Sequence, residues 1–387
     1  MNSHPIQYFA PLYAYLNRDP SFEITALYCS DSSLRGTVDP GFGRPVAWDV
    51  DLLAGYNVKW LGERAKRRKP GGFWSLVCPE VWAAIREGRF DAVWLHGYAY
   101  AAYVLAFAAA KWHGIPVLIR TETHLGLRRS SIRRWVRDTV LSVAYRFVDG
   151  FLAIGTANRE YYRSLGVPER KIFDVPYTVD NERFIAAANI SEAERSEIRC
   201  RFGLPADAPV VIFASKFMPR KHPDDVVRAM RIVQERGIRA SLLMVGTGEM
   251  EQDLLAMCAS LGLRDVAFGG FVNQAELPRV LAASDVFVLP SENEPWGLIV
   301  NEAMCASLPV VVGEEVGCVP DLVTDGENGR LVAAGDVDGL AAALQSLLGR
   351  ADLRRNMASR SQERICKWNY RRCREGVFAY ATKLRSR

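Results

Sequence analysis

Lys216, Lys221, Glu294 and Glu302 are the residues whose types and spacing allow them to do chemistry together. Residues 286–303 read VFVLPSENEPWGLIVNEA: an apolar run ends at Pro290, a polar loop reaches Gly297, and a helical pattern opens near Leu298. Glu294 lies in the loop and Glu302 eight positions on, in the second turn of the helix. Helical side chains lean toward the N-terminus, so Glu302 is aimed back at the loop that carries Glu294. The free N–H groups of Gly297, Leu298 and Ile299, at the positive end of the helix dipole, suit a diphosphate, and Gly297 lets that backbone come close. Carboxylates beside an anion site accept hydrogen bonds from sugar and ribose hydroxyls rather than binding phosphate. Lys216 and Lys221 stand five apart in FASKFMPRK, at the end of another apolar run. Two cations there neutralise a leaving diphosphate, which is electrostatic stabilisation rather than proton transfer.

Other loops join this set. MVGTGE (244–249) places Gly246 and Gly248 at a strand-to-helix turn, although Glu251 stands where a dinucleotide fingerprint has its third glycine. FGGFV (268–272) offers Phe271 and Val272 as walls of a base pocket. In the first half, His96 follows the apolar run AVWL, His4 and Tyr8 lie in the opening segment, and Glu122 and His124 follow VLIR in RTETH. Loops at the carboxyl ends of strands are where function gathers. His96 reads as a catalytic residue or as a cap on the next helix, and His4, Tyr8, Glu122 and His124 as acceptor contacts. His113 and His222 read as helix-terminal residues, and Trp296 as a sugar-packing or a core side chain.

The elements that must hold these loops alternate strand and helix, which predicts an α/β chain with parallel sheets covered on both faces. Strands are expected at 22–29, 57–61, 92–95, 117–120, 150–154 and 172–175, with helices at 8–16, 73–87, 99–112 and 131–147. After a polar stretch at 185–201, a second series follows at 210–214, 241–245, 266–268, 286–290 and 310–312. The organisation expected is an N-terminal Rossmann-like domain over 1–187, a C-terminal one over 188–363, and a helical tail over 364–387 returning to the first. Two such domains facing each other place a ligand cleft between their strand ends. Residues 1–5 read as a loop with no strand before it, so an apolar strand is expected upstream of Met1.

These motifs resemble the family 4 retaining glycosyltransferases (glycosyl transferases group 1) over 210–340, and more loosely over the whole chain. The hallmark is the E-x7-E pair, matched by Glu294 and Glu302. The family usually has Arg and Lys where this chain has Lys216 and Lys221, so the first position keeps charge but loses the bidentate fork. DLVTDGENG (321–329) matches the family's closing loop. The resemblance implies a GT-B architecture, a nucleotide-sugar donor, and transfer that retains anomeric configuration without a metal. It implies that Glu302 holds the ribose and Glu294 the transferred sugar, with Gly297 and Leu298 bonding the donor through backbone. HPIQYFAPLY resembles a subset acting on bacterial surface polysaccharides such as lipopolysaccharide, often on lipid carriers. Two other readings stand beside this one: a nucleotide-sugar 2-epimerase, and a non-catalytic nucleotide-sugar-binding subunit of a polysaccharide complex.

Composition bounds the rest. At 387 residues with 49% apolar and 24% charged side chains, the chain is an ordinary globular protein of two-domain size. Its eight cysteines form no CxxC pair, and no secretory signal is visible, which together predict reduced thiols in the cytoplasm. Asp49/Asp51 and Asp336/Asp338 are the only D-x-D pairs weighed as metal sites, and both read better as turns. Charge is uneven: +6 over 1–187, −8 over 188–363 and +7 over 364–387. The basic runs 64–69 and 128–137 lack the interleaved aromatics of nucleic-acid binders. On the helical pattern from 131, arginines mark one face and Ile132, Val136, Val140 and Val143 the other. The plainer reading makes that apolar face a core contact, and the sharper one makes the region a peripheral surface for anionic membrane and a lipid-linked acceptor.

Overall fold

The computed structural model describes residues 1–39, 41, 43–62, 68–128 and 131–385. Arg64, Lys66, Arg67 and Arg129 of the two basic runs, and Arg387 at the end of the basic tail, therefore lie outside the described residues. The chain forms two compact units: the first comprises 1–37, 46–177 and 370–387, the second 38–45 and 178–369. The seam thus falls at 177/178 and 369/370, where the sequence suggested 187/188 and 363/364. The physical reason is Asn181, whose buried side-chain amide donates to the carbonyls of Ile365 (2.8 Å) and Trp368 (3.1 Å) and ties the Asn181–Ala188 helix into the second unit.

The strands, in chain order, are β1 (Thr25–Tyr28), β2 (Val38–Asp39), β3 (Arg44–Pro45), β4 (Asn57–Trp60), β5 (Val93–Leu95), β6 (Val117–Ile119), β7 (Gly150–Ala153) and β8 (Ile172–Asp174). There follow β9 (Val210–Ala214), β10 (Ser241–Val245), β11 (Val266–Gly270), β12 (Val286–Leu289), β13 (Val310–Gly313) and β14 (Gly329–Val332). In the first unit, β1 pairs with β4, and β5-β6-β7-β8 form a sheet, all parallel. Residues 1–3 lie between the two sheets rather than in a loop. The Asn2 N–H donates to Leu27, Cys29 donates to Ser3, and His96 donates to Met1. The sheet has the period-two alternation of a layer covered on both sides. Val117, Ile119, Phe151 and Ala153 enter one core with the Ala101–Trp112 helix. Leu118 and Leu152 enter another with the Ala10–Asn17 and Tyr370–Arg385 helices.

The second unit is a single parallel sheet in the order β11-β10-β9-β12-β13-β14. The strands VVIFA, SLLMV, VFVL and VVVG are buried throughout, the uniform apolar pattern of a doubly wound sheet. This is the 3-2-1-4-5-6 order, and its topological switch lies between β9 and β12. The antiparallel hairpin β2–β3 packs with this unit although it comes from the first part of the chain.

Two predicted elements differ. The helix expected over 73–87 is a 3-10 turn (Phe73–Ser75) and a short helix (Val81–Glu87), because Pro79 disfavours helical geometry at Cys78. The 131–147 pattern is a helix at Ser131–Ala144 followed by a 3-10 turn, but Ile132, Val136, Val140 and Val143 are exposed. They are not a core contact. All eight cysteines are free thiols. No helix among the described residues is long and apolar enough to cross a membrane.

Candidate functional site

The carboxyl ends of β9 and β12, on either side of the switch, carry the charged residues of the second unit. After β9 the chain turns through Lys216 and a 3-10 turn (Pro219–Lys221), then reverses at His222, φ +51°, into the Pro223–Glu235 helix. That turn buries Lys221 to 7% exposure and aims its ammonium at Glu294 Oε2, with which it forms an ion pair. Arg220 donates to the same oxygen at 2.8 Å. Burial pushes the Lys221 pKa down, with Arg220 and Lys216 adding to the effect, while Glu294 pulls it back up. Two cations therefore share one carboxylate oxygen of a residue that is 8% exposed. Arg220 is a member of this cluster that the sequence reading passed over; its neighbour Lys221 was the available signal.

The loop bearing Glu294 is held by backbone. Gly317 donates to the Glu294 carbonyl and Cys318 to that of Trp296, each at 3.0 Å. Gly297 caps the Leu298–Cys305 helix at φ +89°, a left-handed conformation that favours glycine. By helix geometry the first-turn amides, including Leu298 and Ile299, lack intrahelical acceptors. Glu302, one turn in, is 1% exposed and accepts from the Gln274 side chain at 3.3 Å. Arg183 in turn fixes Gln274 through its carbonyl (2.8 Å) and side-chain oxygen (3.1 Å). Trp296 belongs to the core: it is 2% exposed, donates to Asn301 and stacks on Trp368.

Gly246 has φ +133°, and a Cβ there would collide with the Ser215 carbonyl oxygen, so this glycine lets the β9 and β10 loops meet. Its N–H donates to Gly270 at 2.8 Å. Phe271 and Val272 follow β11 and are half-buried. The Arg44 guanidinium of the β2–β3 hairpin lies 5.6 Å over the Phe271 ring. The Gly41 backbone of the same hairpin packs against the Lys216 side chain. The hairpin's two-residue strands gave no periodic signal in sequence.

In the first unit, His96 at the end of β5 shares a hydrogen bond of 2.6 Å with the Tyr13 hydroxyl, which also accepts from Asn2 at 2.7 Å. His96 stacks on Trp94 and lies 4.3 Å from the Phe9 ring. Burial, then nearby positive charge including Arg120, holds its pKa well below the ordinary imidazole value. It is a neutral group and not a helix cap, since Tyr100 occupies the N-cap of the following helix. Arg120, at the end of β6 and 3% exposed, is a second residue the sequence reading passed over. Its guanidinium faces the rings of Tyr177, Phe9 and Trp94 at 5.0–5.9 Å and donates to the Pro176 carbonyl.

Among the expected acceptor contacts, Glu122 is exposed and accepts from the Tyr177 hydroxyl at 2.7 Å. His124 is buried, its Nδ1 accepting from Gly126, so it shapes its own loop. His4 pairs with Ser3, and Tyr8 is half-buried. The two D-x-D pairs are turn residues: Asp51 accepts from Leu53 and Ala54, and Asp336 caps the Val337–Leu348 helix through Gly339. His222, Asp224 and Asp225 form one group of metal-ligand type, but Arg228 already bonds both carboxylates, at 2.8 and 3.0 Å.

A doubly wound sheet with cations gathered at its switch point, alongside a second α/β unit, is the scaffold of enzymes that handle phosphorylated ligands. This chain belongs to the glycosyl transferases group 1 family. That family's profile matches residues 194–364, and a glycosyl transferase 4-like domain matches 31–178. The chain is 29% identical over 337 residues to the GDP-mannose-dependent alpha-(1-6)-phosphatidylinositol monomannoside mannosyltransferase of Mycolicibacterium smegmatis, covering 79% of this chain and 83% of that protein. It is 30% identical over 302 residues to the D-inositol 3-phosphate glycosyltransferase of Streptomyces coelicolor, covering 71% of this chain and 65% of that one. Anabaena HepE, solved with UDP and glucose, superposes with a TM-score of 0.73 at 19% identity, covering 100% and 98% of the two chains. Sucrose-phosphate synthase of Thermosynechococcus elongatus does so at 0.71 and 19%, covering 98% and 93%. The fold is that of the GT-B glycosyltransferases.

Proposed function

We propose that the chain is a retaining, metal-independent glycosyltransferase moving a sugar from a nucleotide-diphosphate sugar to a hydroxyl of a glycan or lipid-linked acceptor. The observation that carries this reading is the Lys221–Glu294–Arg220 cluster beside the Gly297 helix N-terminus, with Glu302 buried one turn behind. In the unliganded protein Glu294 satisfies the cations. A donor diphosphate competes for Lys216, Arg220 and Lys221, and the exchange releases Glu294 to accept from sugar hydroxyls. The same cations then stabilise the diphosphate as it departs. A phosphate oxygen takes the acceptor proton, so no carboxylate serves as nucleophile, in contrast to retaining hydrolases. His96, neutral and anchored to Tyr13, is suited to hydrogen-bond the sugar rather than carry charge. The phosphatidylinositol-linked acceptor named for the mycobacterial relative, together with the basic first half, favours surface-glycan or glycolipid synthesis at the cytoplasmic face of a membrane.

The test is a thermal-shift screen against UDP, GDP, ADP and their sugars. Ligand at about 100 times its dissociation constant stabilises by roughly 2.7 kcal/mol. One nucleotide series is expected to stabilise the wild type and to lose its effect in Glu302→Gln. If a folded wild type responds to none of them, the reading fails.

A further inference from the structure

We infer that the Ser131–Ala144 helix is an interfacial element that lays its apolar face on an anionic lipid bilayer. Soluble amphipathic helices turn their apolar stripe inward, and this one does the reverse. Ile132, Trp135, Val136, Val140 and Val143, with Phe147 just beyond, are exposed, Ile132 at 76% and Trp135 at 69%. The inward positions carry charge. Arg137 pairs with Asp138 at 2.7 Å, and Arg134 donates to the Leu127 carbonyl at 2.7 Å, while among the described side chains Leu141 and then Tyr145 enter the core. A single exposed apolar side chain is ordinary, but five on one helix and a sixth just beyond it mark a surface that meets something apolar.

Charge chooses the occupant. Residues 125–148 hold six arginines and one acidic residue, Asp138, and Arg128 and Arg146 are exposed near the two ends of the stripe. A second copy docking by two-fold symmetry would bring this positive surface against itself. An anionic headgroup layer instead receives the exposed Arg128 and Arg146 while Trp135 and the aliphatic stripe enter the acyl boundary. The inference deepens the lipid-linked reading of the acceptor by naming the surface that meets the lipid, and its test needs no donor.

The full chain is sedimented with vesicles of phosphatidylcholine, and separately with vesicles of phosphatidylcholine mixed with phosphatidylglycerol. The wild type should pellet with the mixed vesicles and be released by salt. An Ile132→Ser/Trp135→Ser/Val140→Ser variant should partition at least about tenfold less, and Arg128→Gln about fivefold less. Because these side chains are exposed, the thermal midpoint and any nucleotide stabilisation should stay as in wild type, which separates this test from that of the transferase reading. Equal pelleting with both lipids, or undiminished binding by the triple variant, overturns the proposal. So does a wild-type dimer in sedimentation velocity that the triple variant splits, because the face would then be a protein interface.

Discussion

The two units carry charge at their strand ends in different ways. In the second, a buried ammonium is answered by a carboxylate, Lys221 against Glu294. In the first, a buried guanidinium is answered by three aromatic rings, and the neighbouring His96 stays neutral. An ion pair can be exchanged for a ligand's phosphates, because the incoming anion replaces the outgoing one. An aromatic cage holds its cation in place and offers no such exchange. The first arrangement suits a site that must release and rebind charge, and the second a rigid wall.

That contrast is open to attack by mutation. Glu294→Ala should have the largest effect, since it leaves Lys221 buried without its carboxylate. A loss of about 3–5 kcal/mol in denaturant unfolding is expected, and a donor nucleotide or inorganic pyrophosphate should recover part of it. Arg120→Ala should cost about 2 kcal/mol or more through the lost cation–π contacts, with no recovery by pyrophosphate. Recovery there would erase the distinction between the two clusters. His96 gives a pH signature. Its folded pKa lies below the unfolded value of about 6.5, so the unfolded chain binds the proton first and stability falls as pH drops below that value. Wild type should lose up to about 1.4 kcal/mol per pH unit more than His96→Phe from pH 6.5 downward, read from urea midpoints across that range. Arg44→Ala should have the smallest effect, about 0.5–1 kcal/mol, because Arg44 is exposed over its ring. A larger loss would mean that the hairpin contributes to the second unit as a cage does to the first.

The same contrast governs what could be read in advance. The second unit's strands are continuous apolar runs, so β9 and β10 fall where the sequence placed them, and the loops after β9 and β12 bring Lys221 and Glu294 together. Arg220 was overlooked because its role depends on a 3-10 turn that pairs it with a carboxylate 74 positions away. Arg120 was overlooked for a similar reason: its partners Phe9, Trp94 and Tyr177 come from three separate segments. The sharpest difference is the Ser131–Ala144 helix. Periodicity announces that a helix has an apolar face, but the direction of that face depends on neighbours that periodicity does not contain. The Pro223–Glu235 helix has the same kind of pattern and buries Val226, Val227, Met230 and Val233. Hairpin β2–β3 left no mark because two-residue strands are too short to show alternation.

Trp296 and Trp368 lie with ring centroids 5.7 Å apart and planes at 18°. Indoles this close couple their electronic transitions, so the pair should give a circular-dichroism signal that neither ring would give alone. Trp296 stands between Glu294 and Gly297, in the loop whose carboxylate changes partners in the proposed mechanism when a diphosphate arrives. If that exchange moves the loop, the signal should change on addition of donor nucleotide, without label or acceptor, and be lost in Trp368→Phe.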